Sequence, residues 1–257
     1  MNCNENGSEQ ARYSFTQPFQ SESNPFTSQF QRHLSIRYRH HFIVIESRLP
    51  LKVISSAVWN GGVRTAQAFL NYRVPLHYES HDPIHDMVEL ITKEQLAEEH
   101  TVGLMTAANL CDAVIGECHH EDYSLLVLVT SGTSNAARAG QPRQTYPAYH
   151  AGTINIFIMI DGRLSDAAII NSLITATEAK CAALADYGIT EQSNGLIATG
   201  TTTDAMVIAS TQRECYIHEH LYAGTATELG CQLAELVYKA VYKAVASQHE
   251  HNATQHE

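Results

Sequence analysis

The run Leu125-Leu-Val-Leu-Val-Thr130-Ser-Gly-Thr-Ser-Asn-Ala-Ala-Arg-Ala-Gly140 passes abruptly from apolar residues into hydroxyls, one amide and one guanidinium. Leu125 to Val129 is too short for a helix and reads as a strand buried on both faces. The glycines at 132 and 140 let the backbone approach a bound group or take a positive φ. Buried polar groups need partners, so this strand end either satisfies itself in turns or awaits a polar ligand.

Other segments of the same kind tip the balance toward a ligand. Val58-Trp-Asn-Gly-Gly62 follows a strand candidate, and Gly103-Leu-Met-Thr-Ala107 leads into a helix candidate. Ala151-Gly-Thr-Ile-Asn155 opens one strand, Ala198-Thr-Gly-Thr-Thr-Thr-Asp-Ala205 opens another, and Ala223-Gly-Thr225 begins the last helix. Each alone marks an ordinary turn. Together, at the ends of buried elements, they describe a broad cleft lined by hydroxyls and backbone amides.

The strand candidates are Ile36–Ser47, Leu51–Val58, Leu125–Thr130, Thr153–Asp161 and Ala205–Ser210, with Arg213–Glu219 weaker. Helix patterns cover Pro83–Glu98, Ala107–Ile115, Asp166–Tyr187 and Ala226–Ala246. The last carries a capping box, Thr225-x-x-Glu228, before the stripe Leu229, Leu233, Leu236, Ala240 and Ala244. This order predicts one layered α/β or α+β domain over residues 31–246, a mixed sheet with long flanking helices. Residues 1–30, rich in Asn, Ser, Gln and Glu, are expected to form a loosely ordered arm. Residues 247–257 are expected to form a disordered tail.

A net charge of −11 leaves no basic face for nucleic acid, and no apolar run is long enough to span a bilayer. Six cysteines without a Cys-x-x-Cys pair suggest reduced thiols in a cytoplasmic protein. His77, His81 and His85 are spaced by four, but Asp82-Pro83 should start a helix between them and break their alignment. Neither a Gly-x-Ser-x-Gly elbow nor an electropositive cysteine is present. On helix Asp166–Tyr187, Asn171, Thr175 and Glu178 share one side while Lys180 lies nearly opposite with Leu173 and Leu184. Glu178 and Lys180 therefore cannot both reach one small site.

In order along the chain, Val58–Gly62, Gly103–Ala107, Ser134–Gly140 and Gly152–Ile156 resemble motifs of the adenosylcobinamide amidohydrolase family of corrinoid salvage. So do Asp161–Ala168, Thr177–Lys180, Thr199–Ala205 and Tyr222–Thr225, so that the resemblance runs from about Leu51 to Ala246. It implies hydrolysis of the amide joining aminopropanol to the corrin ring, giving adenosylcobyric acid and 1-aminopropan-2-ol. The corrin's cobalt then belongs to the substrate, and no protein-bound metal or cofactor is expected. Self-association is left open. Amide hydrolysis needs an activated oxygen, oxyanion donors and an acid for the leaving amine. Glu178 is the first candidate for water activation, Asp204 the second, with Lys180 or Arg138 as charge partner. Substrate contacts are expected from Asn60, Gly61, Gly62, Thr106, Ser134, Asn135, Arg138, Gly152, Thr153, Asn155, Thr199, Gly200, Thr201 and Thr203. The alternatives are a non-catalytic corrinoid binder serving uptake, or a hydrolase of another amide.

Overall fold

A computed structural model describes residues 12–20, 25–76, 78, 82–142 and 152–254. The strands are β1 (Arg12–Thr16), β2 (Phe26–Thr27), β3 (Leu34–Arg39), β4 (Phe42–Ser55), β5 (Gly62–Arg73), β6 (Thr101–Thr106), β7 (Val114–His120), β8 (Tyr123–Thr130), β9 (Ala136–Ala137), β10 (Asn155–Asp161), β11 (Arg163–Leu164), β12 (Gly200–Thr201), β13 (Ala205–Ser210) and β14 (Glu219–His220). Among the described residues, three α-helices accompany them: α1 (Pro83–Lys93), α2 (Asp166–Tyr187) and α3 (Glu228–Thr254).

One mixed sheet dominates. Its path runs β1-β7-β8-β10-β13-β4, and β4 pairs with β5, which in turn pairs with β6. The 14-residue β4 holds β5 along one side. Its other side is shared by β3 over the first half and β13 over the last four residues. The register of β4 slips between Glu46 and Leu51, around Pro50, which cannot donate to a ladder.

Period-two alternation then sorts the side chains. Leu125, Val127 and Val129 of β8, with Ile156, Ile158 and Ile160 of β10, face Ala176, Leu184, Leu233, Leu236 and Val237 of α2 and α3. Leu126 and Leu128 face the inside of the curl, against Phe157, Met159, Ile43, Ile45, Phe69, Val102 and Leu104. On the far side α1 sets Met87 and Ile91 on Phe42, Val44 and Leu70. Burial on both faces explains the unbroken apolar runs of β8 and β10.

The mixed sheet and long helices match the expected fold class. Several element boundaries differ. Ile36–Ser47 is two strands folded back at His40–His41, and its second half runs on through Leu51 to Ser55. Ala107–Ile115 is no helix: after a short turn, Leu110–Asp112, it enters β7. Arg213–Glu219 contributes to strand only at Glu219–His220. Helix α1 starts as expected, with Asp82 accepting from the His85 N–H at 3.0 Å and Pro83 in its first turn, but it ends at Lys93. His77 and His81 lie outside the described residues. Helix α3 is capped by Thr227, whose Oγ1 accepts from Gly230 N at 3.0 Å, not by Thr225. Residues 247–254, expected to be loose, continue α3, and Gln17 donates to Ser247 Oγ at 2.7 Å. Arg12–Thr16, expected to be a loose arm, is an edge strand paired with β7.

Thr175 Oγ1 donates to Ala223 O at 2.8 Å, holding the chain before α3 against α2. Gly230 packs there so tightly that an added Cβ would stand 2.1 Å from Gly224 O and 2.4 Å from Ala223 O. Gly230→Ala should therefore lower unfolding stability by about 2–3 kcal/mol, measured by urea titration. An unchanged midpoint would contradict this packing.

Candidate active site

Three polar loops meet where β8 ends and β10 and β13 begin. Their junction is the carboxylate of Asp204. Oδ1 accepts from Ile154 N at 3.0 Å and from Thr201 Oγ1 at 2.5 Å. Oδ2 accepts from Thr201 N at 3.1 Å and from the Lys180 ammonium. The two side chains of the ion pair are only 9% and 16% exposed, so it is nearly dehydrated. A carboxylate offers about four lone-pair positions, and all are filled here. Gly200 lies directly over the pair: a Cβ there would sit 2.3 Å from Asp204 Oδ2 and 2.7 Å from Lys180 Nζ.

The β8 loop joins from the side. Ala136–Ala137 and Gly200–Thr201 pair as the short antiparallel ladder β9–β12, and Asn135 Nδ2 donates to Thr202 Oγ1 at 2.7 Å. Thr203 Oγ1 donates to Gly152 O at 2.8 Å and lies 2.7 Å from Thr153 Oγ1. Gly152 has no room for a side chain, because its Cβ would fall 2.4 Å from Asn135 Oδ1 and 2.7 Å from Ser134 Oγ. Helix α3 reaches the same wall: Gln248 Oε1 accepts from both Thr133 N and Thr133 Oγ1 at 3.1 Å.

Beneath these loops a second polar group lies inside the curl. Asn155 Nδ2 donates to Asn71 Oδ1 at 2.8 Å and to Met105 O at 2.9 Å, and Asn71 Nδ2 donates to Thr130 Oγ1 at 2.8 Å. Thr106 Oγ1 accepts from Ala108 N at 3.0 Å. Ser131 Oγ, Asn135 Oδ1 and Asn155 Oδ1 are buried without a partner among the described residues.

The structure thus gathers Thr106, Ser134, Asn135, Gly152, Thr153, Asn155, Gly200, Thr201, Thr203, Lys180 and Asp204. It does not bring Glu178 to them. Glu178 is exposed, and lines a groove of about 360 Å³ between α2 and α3 with Thr175, Thr225, Glu235 and Tyr238. Lys180 points the other way, as their 200° separation around a helix requires. Asn60, Gly61 and Gly62 form the turn into β5. Asn60 adopts φ 56° and spends its amide on Glu98 O and Thr101 O, and Gly62 has φ 84°. Arg138 donates to Ile197 O at 2.7 Å, and Thr199 Oγ1 accepts from Ala139 N at 2.9 Å, so both tie the β9–β12 edge together. Burial pushes the Cys181 thiol up, and its sulfur donates to Thr199 O, which disfavours a reactive thiolate. Asn71 and Gln248 lie outside every motif that the sequence displays. The one signal for Asn71 is a lone amide in the apolar run Ala68-Phe-Leu-Asn-Tyr72.

The family model for adenosylcobinamide amidohydrolase matches residues 27–253. A Methanosarcina mazei protein named adenosylcobinamide amidohydrolase is 32% identical over 188 residues, covering 71% of this chain and 84% of the relative. An uncharacterised protein of Methanocaldococcus jannaschii is 25% identical over 228 residues, 80% of this chain and 86% of the relative. Among the described residues, no helix is long and apolar enough to cross a membrane.

Asp204→Asn would turn an NH₂ toward donors that now share a carboxylate. Stability should fall by about 3 kcal/mol, with the midpoint followed through the single tryptophan, Trp59. A wild-type midpoint would show that the carboxylate does not hold the loops.

Proposed function

Because the chain belongs to the adenosylcobinamide amidohydrolase family, we propose that it hydrolyses the amide joining aminopropanol to the corrin ring of adenosylcobinamide. The products in this reading are adenosylcobyric acid and 1-aminopropan-2-ol. A large ligand carrying many carboxamides suits a wall of hydroxyls, amide side chains and backbone groups better than a narrow apolar pocket. The observation that carries the reading is the convergence of three resembling segments, Gly152–Ile156, Thr177–Lys180 and Thr199–Ala205, on the Asp204–Lys180 pair, with Ser134–Gly140 joined to them through the β9–β12 ladder.

The filled carboxylate limits the chemistry. With its lone pairs occupied, Asp204 takes a proton only from a group it already holds. Thr201 is the one such group that is a hydroxyl on a half-buried, reachable side chain. In our reading Thr201 Oγ1 attacks the amide carbonyl carbon while its proton passes to Asp204. The C–N bond then breaks, and that proton goes to the departing nitrogen of aminopropanol. Water hydrolyses the resulting Thr201 ester, which frees the acid and returns a proton to Thr201 Oγ1. Lys180, beneath the loop, balances the charge of Asp204 and acts as a positioning residue.

The test is incubation of the purified protein with adenosylcobinamide and mass-spectrometric assay of both products in equal amounts. Thr201→Ala should lower kcat at least about a thousandfold, with Thr201→Ser restoring much of it. Glu178→Gln should stay within about threefold of wild type. The reverse pattern would move the reaction to the groove between α2 and α3, where Glu178 and Thr225 stand together.

A further inference from the structure

Asn155 is 0% exposed, yet its Oδ1 has no hydrogen-bond donor among the described residues. Rotating the amide does not remedy this. Both Nδ2 hydrogens are committed, one to Asn71 Oδ1 and one to Met105 O. Met105 O is a backbone carbonyl and only accepts, so the atom facing it must be the NH₂. That assignment forces Asn71 to present its oxygen to Asn155, and so its own NH₂ to Thr130 Oγ1. One backbone carbonyl therefore sets the direction of the whole relay. The relay joins strands that lie far apart along the chain, with Asn71 on β5 and Met105 on β6. Thr130 ends β8, where it is the register partner of Asn155 at the start of β10.

The outcome is a carbonyl oxygen held in place, buried and without a donor among the described residues. Buried acceptors are almost always satisfied, and an unsatisfied one in a native fold calls for an explanation. Its neighbours place it beside the loop cluster. Ile154, just before it, donates its N–H to Asp204, and Thr153, two residues before it, lies beside Thr203. The acceptor thus stands at the foot of the loop cluster assigned above to the reaction.

We infer that the Asn155 carbonyl, immobilised by Asn71 and Met105, accepts a carboxamide N–H of the corrinoid, with Asn71 as its positioning residue. This rests on the proposed substrate. The corrinoid supplies such donors in its carboxamides, and an acceptor whose own donors are engaged discriminates against a ligand carboxylate at that point, which brings no proton.

The test uses the full chain and adenosylcobinamide. A contact kept equally in ground and transition states raises KM and leaves kcat alone. Asn155→Ala should raise KM about tenfold or more with kcat within about threefold, and Asn71→Ala should move KM the same way by less. Asn155→Asp adds a readout that loss of stability does not mimic. As a carboxylate it meets two acceptors and binds poorly at pH 8. As it gains a proton toward pH 5.5 it can donate to Met105 O or Asn71 Oδ1 and keep a carbonyl for the ligand, so KM should recover. An unchanged KM in folded Asn155→Ala would mean that the oxygen holds only a resident water, and would overturn the inference. If Asn155→Ala fails to fold, a pH-independent KM in Asn155→Asp overturns it equally. Should the wild type bind adenosylcobinamide but release no aminopropanol, the proposed reaction fails. The same variants compared by corrin absorbance titration would still decide the acceptor, with a tenfold weaker Kd expected for Asn155→Ala and an equal Kd contradicting it.

Discussion

One carboxylate organises the polar end of this protein. Asp204 collects donors from the start of β10, from helix α2 and from its own turn, and closes all three on a single point. The glycines around it follow from that closure, since Gly200 must lie directly over the ion pair and Gly152 against the Asn135 amide. A nearly dehydrated ion pair is weak support for stability when compared with apolar packing, but losing one partner is costly. Its use here is to hold loops in one arrangement. That arrangement leaves Thr201 at the surface with its hydroxyl already donated.

The loops are positioned by a sheet that is buried on both faces. The outer face of β7, β8, β10 and β13 is closed by α2 and α3, while the inner face packs within the curl against β4, β5 and β6. The curl brings Asn71 and Met105 under the start of β10, so that residues 84 and 50 positions away from Asn155 join it in one relay. Helix α3 then reaches back from the chain's far end to fix Thr133.

Much of this was legible in the sequence. Helix α2 has the expected limits because Ser165 caps its start and Gly188, at φ 83°, ends it. The apolar runs of β8, β10 and β13 admitted few other readings, and the opposition of Glu178 and Lys180 followed from helix periodicity alone. The sequence was less informative where local preference lost to packing. Ala107–Ile115 has helical composition, yet Asp112 is drawn into contacts with Gln20 and Asn109, and the chain then pairs with β8. Strand β5 mixes Gly, Gln, Asn and Arg with its apolar residues, so no long apolar run marks it in the sequence. Asn71 is invisible without the pairing that sets it beside Asn155, since a lone amide in a strand has no meaning until its partner is known. In the Val58–Gly62 segment the Asn and glycines form the tight turn that those residue types most often mark, and the Asn60 amide is spent inside it.

In the proposed reaction the corrinoid lies over the loops that meet at Asp204. Cobalt offers a direct marker, because its anomalous X-ray scattering locates the ring independently of any side chain. In a crystal of the Thr201→Ala protein soaked with adenosylcobinamide, the cobalt peak should lie above Gly152–Asn155 and Gly200–Asp204. A peak over the groove between α2 and α3, beside Glu178 and Thr225, would contradict the account.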